Sequence, residues 1–163
     1  MERRIYLEKF VPKDFDNYYE LVGNEKVMAM ITERAIPLDE AREGFNSLLC
    51  NNELHKCFGN FKVMEASTKK FIGSAKLKVK EKNSTEAELG YMLLPSYWGQ
   101  GLGSEVAELL ILKAKQEKQL NRITAIIDPN NIASRKILIN NGFVSEIVCE
   151  MDGLPAEILS LKI

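Results

Sequence analysis

The sequence predicts a mixed α/β fold, and three observations support this prediction. Its 163 residues are 45% hydrophobic and 28% charged, which is enough apolar material for one compact core. Stretches in which apolar and polar residues alternate are interspersed with stretches of helical periodicity. A turn rich in glycine joins an apolar strand to a long amphipathic helix late in the chain. We therefore expect one domain over residues 1–163.

The N-terminal part of the chain predicts a strand followed by two helices. Residues 5–10 are a predicted strand, and Pro12 then opens a helix that extends to Leu21, because proline suits the first helical turn. A second helix is predicted over residues 38–51. Its apolar residues recur at the spacing of one helix face: Ala41, Phe45, Leu48 and Leu49.

Three strands follow, and their spacing is typical of a meander. The predicted strands are residues 57–66, 71–80 and 86–94. Residues 67–70 have the length and polarity of a hairpin loop between the first two. In the second strand, apolar residues alternate with Lys76, Lys78 and Lys80, so we expect one face of that strand to lie in water.

The C-terminal part predicts a crossover unit and a closing hairpin. The predicted helices are residues 101–117 and 131–140, and the predicted strands are residues 121–127, 143–150 and 157–162. The first helix has an apolar face that includes Val106 and Leu110. Gly142 follows the second helix at a position suited to a left-handed C-cap. Residues 152–155 are the predicted turn of the closing hairpin.

The glycine-rich turn is the strongest functional signal in the sequence. Gly99, Gly101 and Gly103 let the backbone turn tightly and approach a ligand, and the start of the next helix presents unpaired N–H groups. This arrangement favours a pyrophosphate. The spacing differs from the Gly-x-Gly-x-x-Gly of dinucleotide-binding folds, and the sequence lacks the Gly-Lys-Ser/Thr of a P-loop.

Charge and hydropathy exclude several classes of partner. The formal net charge of -1 offers no basic field, so we expect no nucleic-acid partner. No segment approaches the roughly 20 apolar residues of a membrane span, and the first residues do not form an apolar signal region. We therefore expect a cytoplasmic protein without membrane contact.

The cysteines predict neither a disulfide framework nor a metal site. Cys50, Cys57 and Cys149 are odd in number and lack CxxC spacing, so we expect reduced thiols. Cys50, His55 and Cys57 lie close together in sequence, but a fourth ligand at a recognisable zinc spacing is missing.

Two further motifs accompany the glycine turn, at residues 131–134 and 140–143. With residues 97–103, they make the chain similar to the GNAT N-acetyltransferases. The family signature for the pyrophosphate of acetyl-CoA is Gln/Arg-x-x-Gly-x-Gly/Ala, and Trp98 stands here in place of the usual first residue. The motifs most resemble the branch that contains the ribosomal-protein N-terminal alanine and serine acetyltransferases.

The resemblance implies a fold and a cosubstrate. The expected GNAT fold has a mixed, mostly antiparallel central sheet of about seven strands, flanked by about four helices. A splayed pair of strands in this sheet holds acetyl-CoA. The resemblance implies no metal.

The resemblance also implies which residues bind acetyl-CoA. Backbone N–H groups of the turn would hold the pyrophosphate, at Gly99, Gln100, Gly101, Leu102, Gly103 and Ser104. The exposed backbone of the preceding strand would pair with the pantetheine arm, at Met92, Leu93 and Leu94. Asn131 matches a family asparagine that hydrogen-bonds the cofactor arm, and its other interpretation is a helix N-cap.

Catalysis needs a group that removes a proton from the acceptor, because an alkyl amine with a pKa of about 10 is mostly protonated at neutral pH. Glu88 matches the position of a catalytic glutamate in several family members, and we expect it to be the general base. Its other interpretation is a solvated carboxylate, since Glu86 lies on the same face. A backbone N–H near Met92 or Leu93 is the expected oxyanion donor.

The family's usual general acid is missing. Many members have a tyrosine that protonates the leaving thiolate, and this chain has Leu138 at that position. Ser134 or a water molecule is then the expected acid. Alternatively, the thiolate leaves with little help, because a thiol has a pKa of about 8.5.

These residues lead to two functional hypotheses. The first is an enzyme that transfers acetyl from acetyl-CoA by direct attack of a primary amine, on a peptide N-terminus or a small molecule. The second is an acyl-CoA-binding sensor without catalysis, which the replacement of the acid by Leu138 suggests. Another acyl group, such as succinyl, is a third alternative. The closing strands suit a homodimer that pairs at the sheet edge.

Overall fold

A seven-stranded sheet forms the centre of the computed structural model, which describes residues 2–163. Its strands are β1 (Ile5–Lys9), β2 (Gly59–Glu65), β3 (Phe71–Lys78), β4 (Glu86–Leu93), β5 (Arg122–Ile127), β6 (Val144–Met151) and β7 (Leu154–Lys162). Their order across the sheet is β1-β2-β3-β4-β5-β7-β6. Neighbouring strands are antiparallel except for β4 and β5, which are parallel. The mixed, mostly antiparallel sheet is therefore confirmed.

Five helices flank the sheet within residues 2–163, where the sequence predicts about four. They are α1 (Phe15–Val22), α2 (Glu25–Met28), α3 (Leu38–Asn52), α4 (Leu102–Lys115) and α5 (Ile132–Asn140). The additional helix is α2, which is too short to show a periodicity. It begins after Asn24, whose side-chain oxygen accepts hydrogen bonds from the N–H groups of Lys26 and Val27. Across the described part of the chain, each helix is too short or too polar to cross a bilayer.

The closing hairpin turns more tightly than the sequence predicts. β6 and β7 are joined by Asp152 and Gly153, whose φ angles are 52° and 80°. Two consecutive residues with positive φ form a type I′ turn, which matches the twist of the strands. Leu154 and Pro155 therefore belong to β7 instead of the turn. β6 is the outer strand and leaves Val148 exposed, and the homodimer through this edge stays a prediction.

The two faces of the sheet carry different helices. Phe61 and Val63 of β2 belong to a buried cluster that includes α4, and the ammonium of Lys113 lies 5.2 Å from the centre of the Phe61 ring. Lys62 points the other way, and its Nζ lies 3.1 Å from Oδ1 of Asp14, just before α1. Because successive side chains of a strand point to opposite faces, α4 covers one face, and α1 with α3 covers the other.

β4 and β5 part soon after they begin to pair. Glu86, Ala87 and Glu88 of β4 are the residues that pair with β5 in the described chain, and the last partner is Thr124. Beyond this point β4 continues beside β3, and β5 continues beside β7 as far as Ile127. The splayed strand pair that the family resemblance implies is therefore present.

The attachment of α5 to the sheet includes a buried carboxylate. Glu157 of β7 is 2% exposed, and its Oε1 accepts a hydrogen bond of 3.0 Å from Nε of Arg135 in α5. A hydrogen bond from Ser145, and then the guanidinium of Arg135, hold the pKa of Glu157 below its ordinary value of 4.5, although burial opposes the shift. The ion pair thus fixes α5 beside the end of β5.

We expect Glu157→Gln to lower the free energy of unfolding by about 1 kcal/mol near neutral pH, because Arg135 is partly in water and the pair is screened. A carboxyl whose folded pKa is lowered stabilises the fold above its unfolded pKa, and this contribution is lost as the pH falls through the folded pKa. The difference between wild type and variant should therefore shrink below pH 4.5. Urea unfolding at several pH values measures this difference. Glu150→Gln on exposed β6 is the control, and a pH-independent difference would contradict the assignment.

Candidate active site

A cleft of ≈ 680 Å³ opens where β4 and β5 part. β4 lines it from Glu88 to Met92. Tyr18 of α1 and Met30 line it on the side of α1 and α3, and Asn131 and Ser134 line it on the side of α5. The structure therefore brings together four of the predicted site residues: Glu88, Met92, Asn131 and Ser134. Glu88 and Asn131 are more than 40 positions apart in the sequence.

Glu88 lies in this cleft, where it is paired with a lysine. Its side chain is on the face of β4 that α1 and α3 cover, because Ala87 and Leu89 are buried on the face of α4. Its Oε2 contacts Nζ of Lys76 in the adjacent strand β3. The neighbouring Glu86 is at the exposed beginning of β4 and pairs with a different cation, that of Arg122. The two carboxylates that look equivalent in sequence therefore differ in surroundings.

Lys76 is a site residue that sequence reasoning assigns to a wet face. Lys76 and Lys78 do point away from the main core, but the face that they occupy lines the cleft. The alternation of apolar residues and lysines in β3 locates this face. It does not reveal the cleft, because the helices that cover the face come from elsewhere in the chain.

The glycine turn has the backbone that the sequence predicts. Gly99 and Gly101 have φ angles of 74° and 77°, which favour glycine. Gly103 lies in the first turn of α4, and a β-carbon there would lie 3.2 Å from the ring of Tyr91 and 3.3 Å from Cδ1 of Ile137. Because the first N–H groups of a helix have no partner within it, this turn presents donors where α4 begins. The turn lies outside the lining of the cleft.

Arg4, which precedes β1, holds the glycine turn in place through hydrogen bonds. Its Nη1 donates to the carbonyl of Gln100 at 2.9 Å, and its Nε donates to Oε2 of Glu105 at 2.9 Å. Its backbone N–H also donates to Glu105, at 2.8 Å. The guanidinium thus neutralises the one carboxylate in the first turn of α4, where an anion would bind. Sequence reasoning misses Arg4, because nothing local links it to a turn almost 100 positions away.

Several hydrogen bonds hold the backbone between β4 and the turn, and three of them involve Leu93 or Leu94. The N–H of Leu94 donates to the carbonyl of Ile72 at 2.9 Å, and the carbonyl of Leu94 accepts from the N–H of Tyr97 at 2.9 Å. Nε1 of Trp98 donates to the carbonyl of Leu93 at 2.8 Å. The tryptophan that departs from the family signature therefore fixes the turn to the strand.

These bonds limit which backbone N–H and carbonyl groups remain available to a ligand. Leu94 has both its backbone groups in use. In an antiparallel pair, residues with groups toward the partner alternate with residues whose groups point away, so Met92 also bonds toward β3. The N–H of Leu93 and the backbone of Tyr91 then point to the open side. Of the predicted Met92, Leu93 and Leu94, it is therefore Leu93 whose N–H points to the open side, next to the backbone of Tyr91.

Asn131 and Ser134 lie together at the start of α5. The side-chain oxygen of Asn131 accepts a hydrogen bond of 3.2 Å from the N–H of Ser134, so Asn131 is an N-cap. A cofactor carbonyl would therefore have to bind its amide nitrogen. Burial raises the pKa of the Tyr91 phenol, and the nearby hydroxyl of Ser134 counteracts part of this shift. Within the described residues the buried Tyr91 hydroxyl has no hydrogen-bond partner. A neutral phenol thus lies beside Ser134.

Leu138 belongs to the hydrophobic core. It is 1% exposed and packs in the cluster that includes α4. Its side chain carries no proton to give, so any acid in this part of the cleft has to be another group. Ser134 is one helical turn earlier on α5 and lines the same cleft.

In the group of Cys50, His55 and Cys57, the imidazole of His55 is held by hydrogen bonds, while Cys50 is an exposed free thiol. Nε2 of His55 lies 3.0 Å from Oε1 of Gln119, and its Nδ1 accepts from the N–H of Cys57 at 2.9 Å. Both ring nitrogens are therefore in use, and the ring stacks on Phe58 with 4.2 Å between centroids. Among residues 2–163, no three His, Cys, Asp or Glu side chains are placed to hold a metal ion.

Comparison with known proteins identifies a family whose members are similar to this chain. A family model described as an acetyltransferase (GNAT) domain matches residues 4–144, which include Arg4, the glycine turn and α5. The sequence is 33% identical over 86 residues to the uncharacterized N-acetyltransferase p20 of Bacillus licheniformis, a match that covers 53% of this chain and 48% of that protein. The chain thus matches about half the length of this relative.

Solved structures share the fold at low sequence identity. The spermidine N-acetyltransferase of Vibrio cholerae, in complex with CoA and spermine, has a TM-score of 0.80 and 19% identity, and the match covers 98% of this chain and 95% of that one. The ribosomal L7/L12 α-N-protein acetyltransferase RimL, in complex with coenzyme A, has a TM-score of 0.81 and 16% identity, with 99% and 96% covered. Together with the match over residues 4–144, the sheet, the divergence of β4 and β5 and the glycine turn show that this chain belongs to the GNAT acetyltransferase family.

Proposed function

We propose that this protein is an N-acetyltransferase that moves the acetyl group of acetyl-CoA to a primary amine. The divergence of β4 and β5 beside the glycine turn carries the proposal. The divergence offers backbone edges to a chain that contains amides, and the turn offers N–H groups to a pyrophosphate. Coenzyme A contains both groups in one molecule. Membership of the family supports acetyl as the acyl group.

The residues at these two places fit acetyl-CoA. The pyrophosphate would bind the N–H groups of Leu102, Gly103 and Ser104, and Gly99, Gln100 and Gly101 would shape the turn that presents them. The small size of Gly103 matters, because a side chain there would meet the ring of Tyr91. The N–H of Leu93 and the amide nitrogen of Asn131 are the donors for the pantetheine arm. When bound, acetyl-CoA supplies a thioester whose carbonyl carbon the amine attacks.

Glu88 is the proposed general base. Its carboxylate lies in the cleft and already holds an ammonium, that of Lys76, so it can hold the ammonium of an acceptor in the same way. An acceptor has to displace Lys76 before Glu88 can remove its proton. The displaced lysine can turn toward water, because its side chain is 36% exposed.

Ser134 is the proposed donor to the leaving thiolate. It lines the cleft on the side of α5, and the neutral phenol of Tyr91 beside it supplies a second hydroxyl. The demand on this donor is modest, because a thiol with a pKa of about 8.5 is a good leaving group. A water molecule held by Ser134 would serve the same purpose.

The proposed acceptor is a small-molecule amine or a peptide N-terminus. Relatives of this fold differ in this respect, since one structure is of a spermidine acetyltransferase and another is of a ribosomal-protein acetyltransferase. The motif around Trp98 favours the branch of the ribosomal-protein enzymes. The wall of the cleft formed by Tyr18, Met30 and Ile31 would contact the part of the acceptor behind its amine.

Calorimetric titration with acetyl-CoA tests the proposal, followed by thiol release with polyamines, aminoglycosides, amino acids and peptides that begin with Ala or Ser. We expect binding of acetyl-CoA and release with one class of amine, which identifies the acceptor. Binding without release with any amine would support an acyl-CoA sensor. Succinyl-CoA is the control for the acyl group. Failure to bind any acyl-CoA would remove the proposal.

Glu88→Gln should lower kcat by a factor of about 10² or more, since general bases contribute that much, while the affinity for acetyl-CoA stays the same. Steady-state kinetics and calorimetry on the same protein separate the two effects. Glu86→Gln is the matched control, because it changes a carboxylate two positions away that pairs with Arg122 outside the cleft. Equal turnover in Glu88→Gln and wild type would exclude Glu88 as the base.

Arg4→Ala should weaken acetyl-CoA binding about fivefold, because the freed carboxylate of Glu105 repels an anion at the start of α4 by about 1 kcal/mol. Adding Glu105→Gln to this variant should restore most of the affinity. Calorimetry measures both, and Arg3→Ala is the control at an exposed neighbour. If the double variant binds as weakly as Arg4→Ala, the shape of the turn and not the charge explains the loss.

A further inference from the structure

We propose that Lys76 is a self-acetylation site, which takes an acetyl group from acetyl-CoA when the cleft holds no acceptor. The inference rests on the proposed function, because it needs acetyl-CoA in the cleft. It adds a covalent modification of the chain itself and a competitor for the acceptor.

The path of the Lys76 side chain carries the inference. Lys76 pairs with Gly90 across β3 and β4, and a β-carbon on Gly90 would lie 2.7 Å from Cε of Lys76. The lysine therefore lies across β4 at a residue that has no side chain to block it. Its Nζ contacts Oε2 of Glu88. Glu88 is the last residue of β4 that pairs with β5 in the described chain. The ammonium is thus held where the cleft begins.

The chemistry of Lys76 is that of an acceptor. A lysine side chain ends in a primary alkyl amine, the group that the proposed reaction acetylates. Lys78 is a natural comparison, because it is on the same strand, on the same face, and lines the same cleft. Within residues 2–163, Lys78 has no ion pair with a carboxylate, whereas Lys76 is on Glu88. Lys78 is the residue opposite Glu88 in the register of β3 and β4, so the two lysines differ in the contact of their ammonium groups with the proposed base and not in their distance along the strand.

The step balances without any further reactant. Glu88 removes a proton from Nζ of Lys76, and the nitrogen lone pair forms a bond to the acetyl carbon as the carbon–sulfur bond breaks. Of the two protons that the nitrogen loses, one ends on the thiol of coenzyme A and the other is released to water. The product is an uncharged amide on Lys76. This amide cannot form an ion pair with Glu88, so the modification also frees the proposed base for an external amine.

Mass spectrometry of the intact protein and of its peptides tests the proposal, after incubation with acetyl-CoA alone. We expect the mass of one acetyl group at Lys76, gained at least about tenfold faster than at Lys78, because a positioned amine reacts as though concentrated. The rate should not depend on protein concentration. Glu88→Gln should slow the gain, and a good acceptor should slow it by competition. Lys76→Arg keeps a cation beside Glu88 but cannot form the amide, so this variant should lose the fast gain and keep only the slow gain at Lys78.

Two controls make the result decisive. Acetic anhydride without acetyl-CoA gives the intrinsic reactivity of Lys76 and Lys78, and the preference with acetyl-CoA has to exceed it. Calorimetry and acceptor turnover on the same protein show whether the proposed function holds. A protein that acetylates an amine but modifies Lys76 no faster than Lys78 would overturn this inference alone. A protein that does not bind acetyl-CoA would overturn both.

Discussion

The structure depends on the point at which β4 and β5 stop pairing. Each strand keeps an antiparallel partner beyond Glu88 and Thr124, β3 for one and β7 for the other, so the sheet stays intact while one ladder ends. The backbone groups on the two inner edges then lack the partner that a continuous sheet would provide. A ligand that contains amides can supply that partner. The divergence thus creates the cleft and also determines what kind of molecule suits it.

One ion pair lies at the start of α4 and another lies in the cleft, and the two have different roles. Arg4 neutralises Glu105, which would otherwise oppose an anion at the start of α4. Lys76 neutralises Glu88, which in the proposed mechanism has to be released before it can act on an acceptor. The first pair is stable in the proposed function and the second is temporary. This difference follows from position, because Arg4 also binds the backbone of the turn, whereas the bond between Lys76 and Glu88 joins two side chains.

Local sequence signals predict most of the elements but not the contacts between them. The left-handed backbone at Gly99 and Gly101 and the position of Glu88 on its strand follow from residue type and periodicity. The helix of residues 25–28 has too few residues for a periodicity. The roles of Arg4 and Lys76 depend on which segments the tertiary fold brings together. The hydrogen bond from the Leu94 N–H to Ile72 is a contact of the same kind, since the direction of the backbone groups along β4 becomes known only with the register against β3.

The tethered amine of Lys76 places a condition on any acceptor. A group on a short flexible tether has an effective concentration that is roughly millimolar, and Lys76 is in addition paired with Glu88. An amine at lower concentration can displace it only if other parts of the molecule gain contacts in the cleft. Those contacts are available at Tyr18, Met30 and Ile31, on the side of α1 and α3. In the proposed function, acceptor selection therefore depends on this wall more than on the amine itself, because every candidate acceptor brings the same ammonium to the same carboxylate.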